Sequence, residues 1–125
     1  MRRLLLDTNI LIDHLRGDAA ATTLLRDVAT GRLRASISVI TEGEILASRA
    51  LTRQQLREIE TLLSLLPKLA VTSRVARTAA QFQRTYTIDM ADALIAATAS
   101  VANATLVTRN IKHFRAVKEL RLRTL

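Results

Sequence analysis

Three leucines, Leu4 to Leu6, run straight into Asp7-Thr8-Asn9 and then into Ile10, Leu11 and Leu15, and this change of period constrains the fold more than any other stretch. A short apolar run that stops at a polar cluster reads as a strand buried on both faces. Apolar residues at helical spacing immediately after it read as a helix. In a parallel α/β sheet, ligands bind beyond the carboxyl ends of the strands, where loops open and helix N-termini present free N–H groups. Asp7 stands at that switch. Its carboxylate is placed to hold a metal ion or, more simply, to cap the helix that follows.

The rest of the chain repeats the alternation. Ala21, Leu24, Leu25 and Val28 form a helical stripe over Ala19 to Thr30, closed by Gly31, and Leu33 to Ser38 reads as a strand. Ser38 to Glu44 opens a helix whose apolar face continues through Ile45, Leu46 and Ala50. Thr52 caps a further helix through Leu66, which Pro67 ends. Leu69 to Val71 is the third expected strand, and Ser73 the expected cap of a helix carrying Val75, Ala76, Ala79, Ala80 and Phe82. Asp89 to Ala99 has almost no polar side, so this helix is expected to be buried nearly all round. Thr105 to Thr108 reads as a strand, Arg109 to Phe114 as a loop and short helix, and Leu120 to Leu125 as a final edge strand. Strands alternating with helices predict a parallel sheet covered on both faces, in one domain spanning 1–125.

Composition removes several function classes. The 125 residues contain no cysteine, so no disulfide framework, thiolate zinc site or cysteine nucleophile is available, which suits a reducing cytoplasm. No apolar stretch is long enough to span a bilayer, and the three-leucine run is too short for a secretory signal. Aromatic residues make up 2%, which argues against base-stacking platforms for single strands. Charge points the other way: 19 Lys+Arg against 11 Asp+Glu leave +8, nearly all from arginine. Guanidinium groups suit phosphate backbones, so nucleic acid or an acidic partner is expected.

The acids then take on meaning together. Asp92 lies in the first turn of an apolar helix, where an unpaired carboxylate would cost several kcal/mol. It needs a cation, hydrogen bonds or a place at a cleft edge. Asp89, three residues earlier, is a natural N-cap, and Glu44 and Glu42 sit near a helix start as dipole-facing acids would. Asp7, Glu44, Asp92 and Thr108-Arg109-Asn110 each follow a strand or open a helix. If these elements meet at one sheet edge, carboxylates that would repel one another can share a hard divalent ion.

Leu5-Leu6-Asp7-Thr8-Asn9-Ile10-Leu11-Ile12-Asp13, Ile40-Thr41-Glu42-Gly43-Glu44-Ile45-Leu46, Asp92 to Ala99 and Leu106-Val107-Thr108-Arg109-Asn110-Ile111-Lys112-His113-Phe114 resemble, in order, the motifs of PIN-domain ribonucleases. The nearest likeness is to VapC-type toxins of toxin–antitoxin pairs. The resemblance implies a Rossmann-like three-layer α/β/α sandwich and a Mg²⁺- or Mn²⁺-dependent endoribonuclease that leaves a 5′-phosphate. It also implies a VapB-type antitoxin as partner and frequent homodimers. By motif, Asp7, Glu44 and Asp92 match the three catalytic, metal-holding acids, and Asn9 and Thr108 match polar positions that order such sites. The fourth acidic position departs from the pattern, because Asn110 and His113 stand where relatives place Asp or Glu. Asn110 can offer a neutral oxygen and Asp89 can compensate, so one metal is favoured over two. Arg109 and Arg115 are candidate phosphate contacts.

Two other readings stand beside this one. His14 and His113 could serve as general base and acid without a metal, although surface or structural roles suit both better. A non-catalytic module that binds RNA or a partner is the other, kept open by Asn110. The stripe Leu56, Ile59, Leu62, Leu63 and Leu66 is core by expectation, with an exposed partner face as the alternative.

Overall fold

In the computed structural model, which describes residues 2–125, the chain begins with β1 (Leu4–Leu6), α1 (Thr8–Leu15) and α2 (Ala19–Ala29). It continues through β2 (Ala35–Ser38), α3 (Val39–Leu46), α4 (Arg53–Ser64) and β3 (Lys68–Leu69). Helices α5 (Ser73–Thr85) and α6 (Met90–Val101) follow, then β4 (Thr105–Val107), α7 (Ile111–Phe114) and β5 (Arg121–Arg123). The strands form one parallel sheet in the order β3-β2-β1-β4-β5. Leu4 pairs with Ala35 on one side and Thr105 on the other, so β1 lies at the centre. The chain builds outward from β1 to β3 and then crosses back to β4. The direction of winding therefore reverses between β1 and β4, and the crevice above their carboxyl ends is where sheets of this kind hold their ligands.

Side chains alternate across the sheet. Leu4 and Leu6 face one layer, where Ile10 and Leu11 of α1, Leu24 and Leu25 of α2, and Ile59, Leu62 and Leu63 of α4 close the core. Leu5 faces the other, against Val75 and Phe82 of α5, Ile95, Ala96 and Ala99 of α6, and Phe114 of α7. The result is the three-layer α/β/α arrangement expected from the alternation of strands and helices. Helix α6 lies between α5 and the sheet, which explains its missing polar side: alanines let the helix approach both neighbours closely.

Several boundaries differ from expectation, each for a local reason. Helix α3 ends at Leu46 and does not reach Ala50, because Ala47 to Ala50 are exposed and offer the helix no apolar face to bury. Strand β3 is Lys68–Leu69 and not Leu69 to Val71. The Ile37 N–H already bonds to the Pro67 carbonyl at 2.9 Å, and β2 ends at Ser38, so residues 70 and 71 have no strand to pair with. Thr72 and not Ser73 caps α5, its hydroxyl accepting from the Val75 N–H at 3.2 Å. The last strand is trimmed to Arg121–Arg123, paired in parallel with β4 at the sheet edge.

The expected stripe of α4 is core: Ile59, Leu62, Leu63 and Leu66 are buried, and Leu56 alone is exposed. Its start carries a full capping box, with the Thr52 hydroxyl on the Gln55 N–H and the Gln55 side chain on the Thr52 N–H. Among the described residues no helix is long and apolar enough to cross a membrane.

Leu5 is fully buried between the central strand and α6. Leu5→Ala is expected to lower unfolding stability in urea by roughly 2–5 kcal/mol, the range for a core leucine whose cavity cannot collapse. A loss below about 1 kcal/mol would mean that this layer is loosely packed.

Candidate active site

The crevice between β1 and β4 is built around Asp7. Its backbone N–H bonds to the Val107 carbonyl at 2.9 Å, which locks the strand end beside β4. The carboxylate is 5% exposed and accepts from three neutral donors. The Thr8 N–H reaches one oxygen at 2.8 Å, while the other accepts from the Thr108 hydroxyl at 2.7 Å and the Asn9 side-chain amide at 3.2 Å. Asp7 is thus the N-cap of α1 and the floor of the crevice at once. Asn9 reaches across as well, its carbonyl oxygen 3.5 Å from the Arg109 N–H. Thr108 receives the Asn110 N–H on its hydroxyl at 2.9 Å. Both supporting residues therefore bind the loop after β4 to the Asp7 carboxylate.

Glu44 enters from α3, exposed, with one oxygen 2.7 Å from the Thr8 hydroxyl. That hydroxyl also lies 3.0 Å from the buried Thr41 hydroxyl. Thr8 has a single proton and the carboxylate can only accept, so Thr8 donates to Glu44 and Thr41 donates to Thr8. Thr8 and Thr41 are contributors that sequence reasoning left out. The available signal was the spacing of Thr41 and Glu44, three apart on one helical face.

Asp92, half-buried in the first turn of α6, sits 3.0 Å from the His113 Nδ1. Burial raises its carboxyl above the ordinary 3.8, with the Asp89 charge adding to the rise, the His113 ring opposing it, and Asp7 adding a smaller push. Asp7 and Asp92 are therefore in electrostatic reach of each other across the crevice. Asp89 is committed as the cap of α6, its oxygen 3.0 Å from the Asp92 N–H. Asn110 precedes α7 with no side-chain capping bond. The other histidine, His14, bonds to the Thr22 hydroxyl at 2.9 Å and ties α1 to α2.

The arginines divide. Arg109 places its guanidinium 3.2 and 2.7 Å from the two oxygens of Asp18, and 3.1 Å from Asp13. This fork holds Asp18 below its ordinary value, helped by the Ala21 N–H that Asp18 caps. Arg109 thus clasps the β4 loop to the α1–α2 corner. Arg115 is exposed and has no ion pair among the described residues.

The donor chemistry of the crevice suits a hard divalent cation. Asp7 is a buried anion with no cationic side chain within 4.0 Å among the described residues, and a buried charge left in that state is costly. As placed, no three His, Cys, Asp or Glu side chains among the described residues close around a single point. Asp7 and Glu44 are joined through Thr8, and the Asp7 charge acts on Asp92, so the three carboxylates are near one another but do not enclose one point. That is compatible with an ion held by one or two carboxylates and several waters, as Mg²⁺ usually is.

Comparison with known proteins agrees with this fold. Residues 4–120 match the PIN domain. Ribonuclease VapC19 of Mycobacterium tuberculosis is 36% identical over 115 residues, covering 88% of this chain and 90% of that protein. Ribonuclease VapC10 of the same species is 34% identical over 124 residues, covering 94% and 90%. Among solved structures, VapBC2 from Rickettsia felis bound to a DNA fragment from their promoter superposes with a TM-score of 0.83 at 26% identity, covering 98% of each chain. A fold matched along nearly its whole length, with the carboxylates at the winding reversal of the sheet, identifies this chain as a member of the PIN-domain family, among the VapC-type ribonucleases.

Proposed function

We propose that this chain is a divalent-metal-dependent endoribonuclease, the toxin of a toxin–antitoxin pair, that hydrolyses RNA phosphodiester bonds with water. The observation that carries the reading is the Asp7 carboxylate, buried at the strand crossing and held by three neutral donors, with Glu44 tied to it through Thr8 and Asp92 within reach of its charge. Neutral hydrogen bonds aim such an anion without discharging it, and a hard cation completes it. Asp7, Glu44 and Asp92 would hold Mg²⁺, with Mn²⁺ able to substitute, and Asn110 would add at most a neutral oxygen. When bound, the ion supplies a water of lowered pKa and offsets charge that develops on the phosphoryl group.

The chain's own residues set the stage for that chemistry. Thr108 and Asn9 keep the Asp7 oxygens in one orientation, and Thr8 does the same for Glu44. Arg109, through its fork to Asp18, shapes the loop that carries Thr108 and Asn110. Arg115, exposed beyond α7, is the better placed of the two arginines to meet a phosphate oxygen. All of 1–125 serves as one domain in this reading, which acts in the cytoplasm on RNA. A VapB-type antitoxin restrains it, in keeping with similar structures solved as VapBC or toxin–antitoxin complexes, and the working form in this reading is a homodimer.

The second reading, a module that holds RNA without cutting it, draws on the neutral Asn110 and on the His113 ring that occupies Asp92. Purified protein incubated with cellular RNA in Mg²⁺, Mn²⁺ or EDTA decides between them. Discrete cuts are expected with either metal and none in EDTA. Asp7→Asn, Glu44→Gln and Asp92→Asn should each lose more than the roughly 10–100-fold typical of an outer partner, and Thr108→Val should fall within that range. RNA binding without cuts in any metal supports the module.

Asp92 gives a second, independent test. Its folded carboxyl ionises above the unfolded value of 3.8, so between the two the native state holds the extra proton and stability falls as pH rises through that window. Asp92→Asn is therefore expected to melt at a higher temperature than the parent at pH 7, with the advantage gone below 3.8. A lower melting temperature at pH 7 would show that the carboxylate stabilises the fold.

A further inference from the structure

The pole opposite the carboxylates is a row of arginines. Parallel strands all enter the sheet from the same edge, and here β1, β2 and β5 enter on Arg3, Arg34 and Arg121 or its immediate neighbour. Leu4 pairs with Ala35, so Arg3 and Arg34, each one residue earlier, stand on adjacent strands about 4.8 Å apart on the same face. On the other side of β1, Arg121 is level with Thr105, which is level with Leu4, so it turns to the face opposite Arg3 and Arg34, and the row spans both faces at this edge. Between them Asn103 takes up a left-handed backbone with φ 52°, a conformation asparagine tolerates, at the end of α6. Its side-chain oxygen receives Arg2 at 3.5 Å and Arg121 at 3.3 Å, so two guanidinium groups converge on one neutral atom.

All four arginines are exposed, and none has a carboxylate within 4.0 Å among the described residues. Like charges set side by side on neighbouring strands destabilise, so this arrangement works against the folded chain unless an anion joins it. The anion has to be extended, because the row crosses three neighbouring strands and β5 beyond them. Of the exposed large apolar side chains, Leu56 and Met90 lie on α4 and at the start of α6, and Leu65 alone, three residues before β3, approaches this edge, so the row lacks the apolar core that protein interfaces are built on. A phosphate backbone meets these terms, since it is uniformly charged and suits the guanidinium fork.

We infer that Arg2, Arg3, Arg34 and Arg121 form a second RNA-binding site, which holds the phosphate backbone of a long RNA at the pole remote from the carboxylates. From Arg3 to Asp7 the backbone rises about 13 Å along β1, before either side chain is added. A fragment confined to the crevice leaves the arginines empty, whereas a longer strand that runs over the edge strand β5 meets both. The site makes the protein prefer large, continuous RNAs over fragments, and it does so through affinity and not through the cutting step.

The test is a binding measurement in EDTA, so it stands apart from the nuclease reading, which the cleavage assay decides. Fluorescence anisotropy of a labelled, unstructured RNA of about 40 nucleotides is followed from about 0.05 to 0.3 M salt. Arg34→Gln with Arg121→Gln removes two contacts and is expected to lower the log–log salt slope by about 1.4, at about 0.7 per phosphate of a single strand. Binding at about 0.1 M salt weakens by roughly 10- to 30-fold. Arg2→Gln with Arg3→Gln must repeat the effect. Arg74→Gln with Arg77→Gln, an equal loss of charge from the exposed side of α5, must leave the slope nearly unchanged. Equal losses from the α5 pair, no loss at all, or a loss confined to duplex DNA would each overturn the inference.

Discussion

The hydrogen bond from Thr108 to Asp7 joins two residues 101 positions apart at the one place where the sheet reverses its winding, and the rest of the site hangs from it. A carboxylate sealed to 5% exposure needs its lone pairs occupied, and here three neutral donors from α1 and the β4 loop occupy them. The capping and site roles of Asp7, alternatives on paper, are one arrangement in space. One oxygen starts α1, and the other gathers the loop that carries Thr108 and Asn110. Capping fixes the carboxylate's direction, which is what a residue that binds through oxygen requires.

Much of this was legible because period reports burial. The Leu4 to Leu6 run, the two-sided apolar helix α6 and the stripe of α4 each announced which faces would be covered, and the three layers follow from that. Boundaries were less legible because they depend on partners. Strand β3 begins at Lys68 because β2 offers Ile37 and Ser38 there, a fact about a neighbour that no local pattern carries. In the same way, the meeting of Thr108 with Asp7 follows from the crossing of β4 beside β1. Thr8 and Thr41 went unread because a threonine's role depends on which carboxylate its hydroxyl meets. Arg109 looked like a free cation until Asp13 and Asp18 were seen beside it.

The charges are sorted along the strand axis. Acids gather at the carboxyl edge, where burial and the neighbouring Asp89 and Asp7 charges raise the proton affinity of Asp92, and arginines gather at the amino edge, where two share one amide oxygen. Both concentrations work against the folded state, and both are carried by cores that are almost wholly aliphatic: two phenylalanines, Phe82 and Phe114, are the only aromatic side chains fully buried among the described residues. The apolar layers supply the stability on which the two charged poles draw.

The Arg109 fork has a consequence for how such a chain can vary. Asp13 belongs to α1, Asp18 caps α2, and Gly17 turns between them at φ 87°, so Arg109 is held by both sides of one tight corner. An insertion at that corner would move Asp18 away from Asp13, unhook the β4 loop and loosen Thr108 without touching any carboxylate of the crevice. The connection from Ala47 to Leu51 has no such tie, its residues being mostly exposed and absent from the polar network. Changes in length are therefore free to accumulate on one side of the crevice while the other keeps its length, although both loops are equally ordinary in composition.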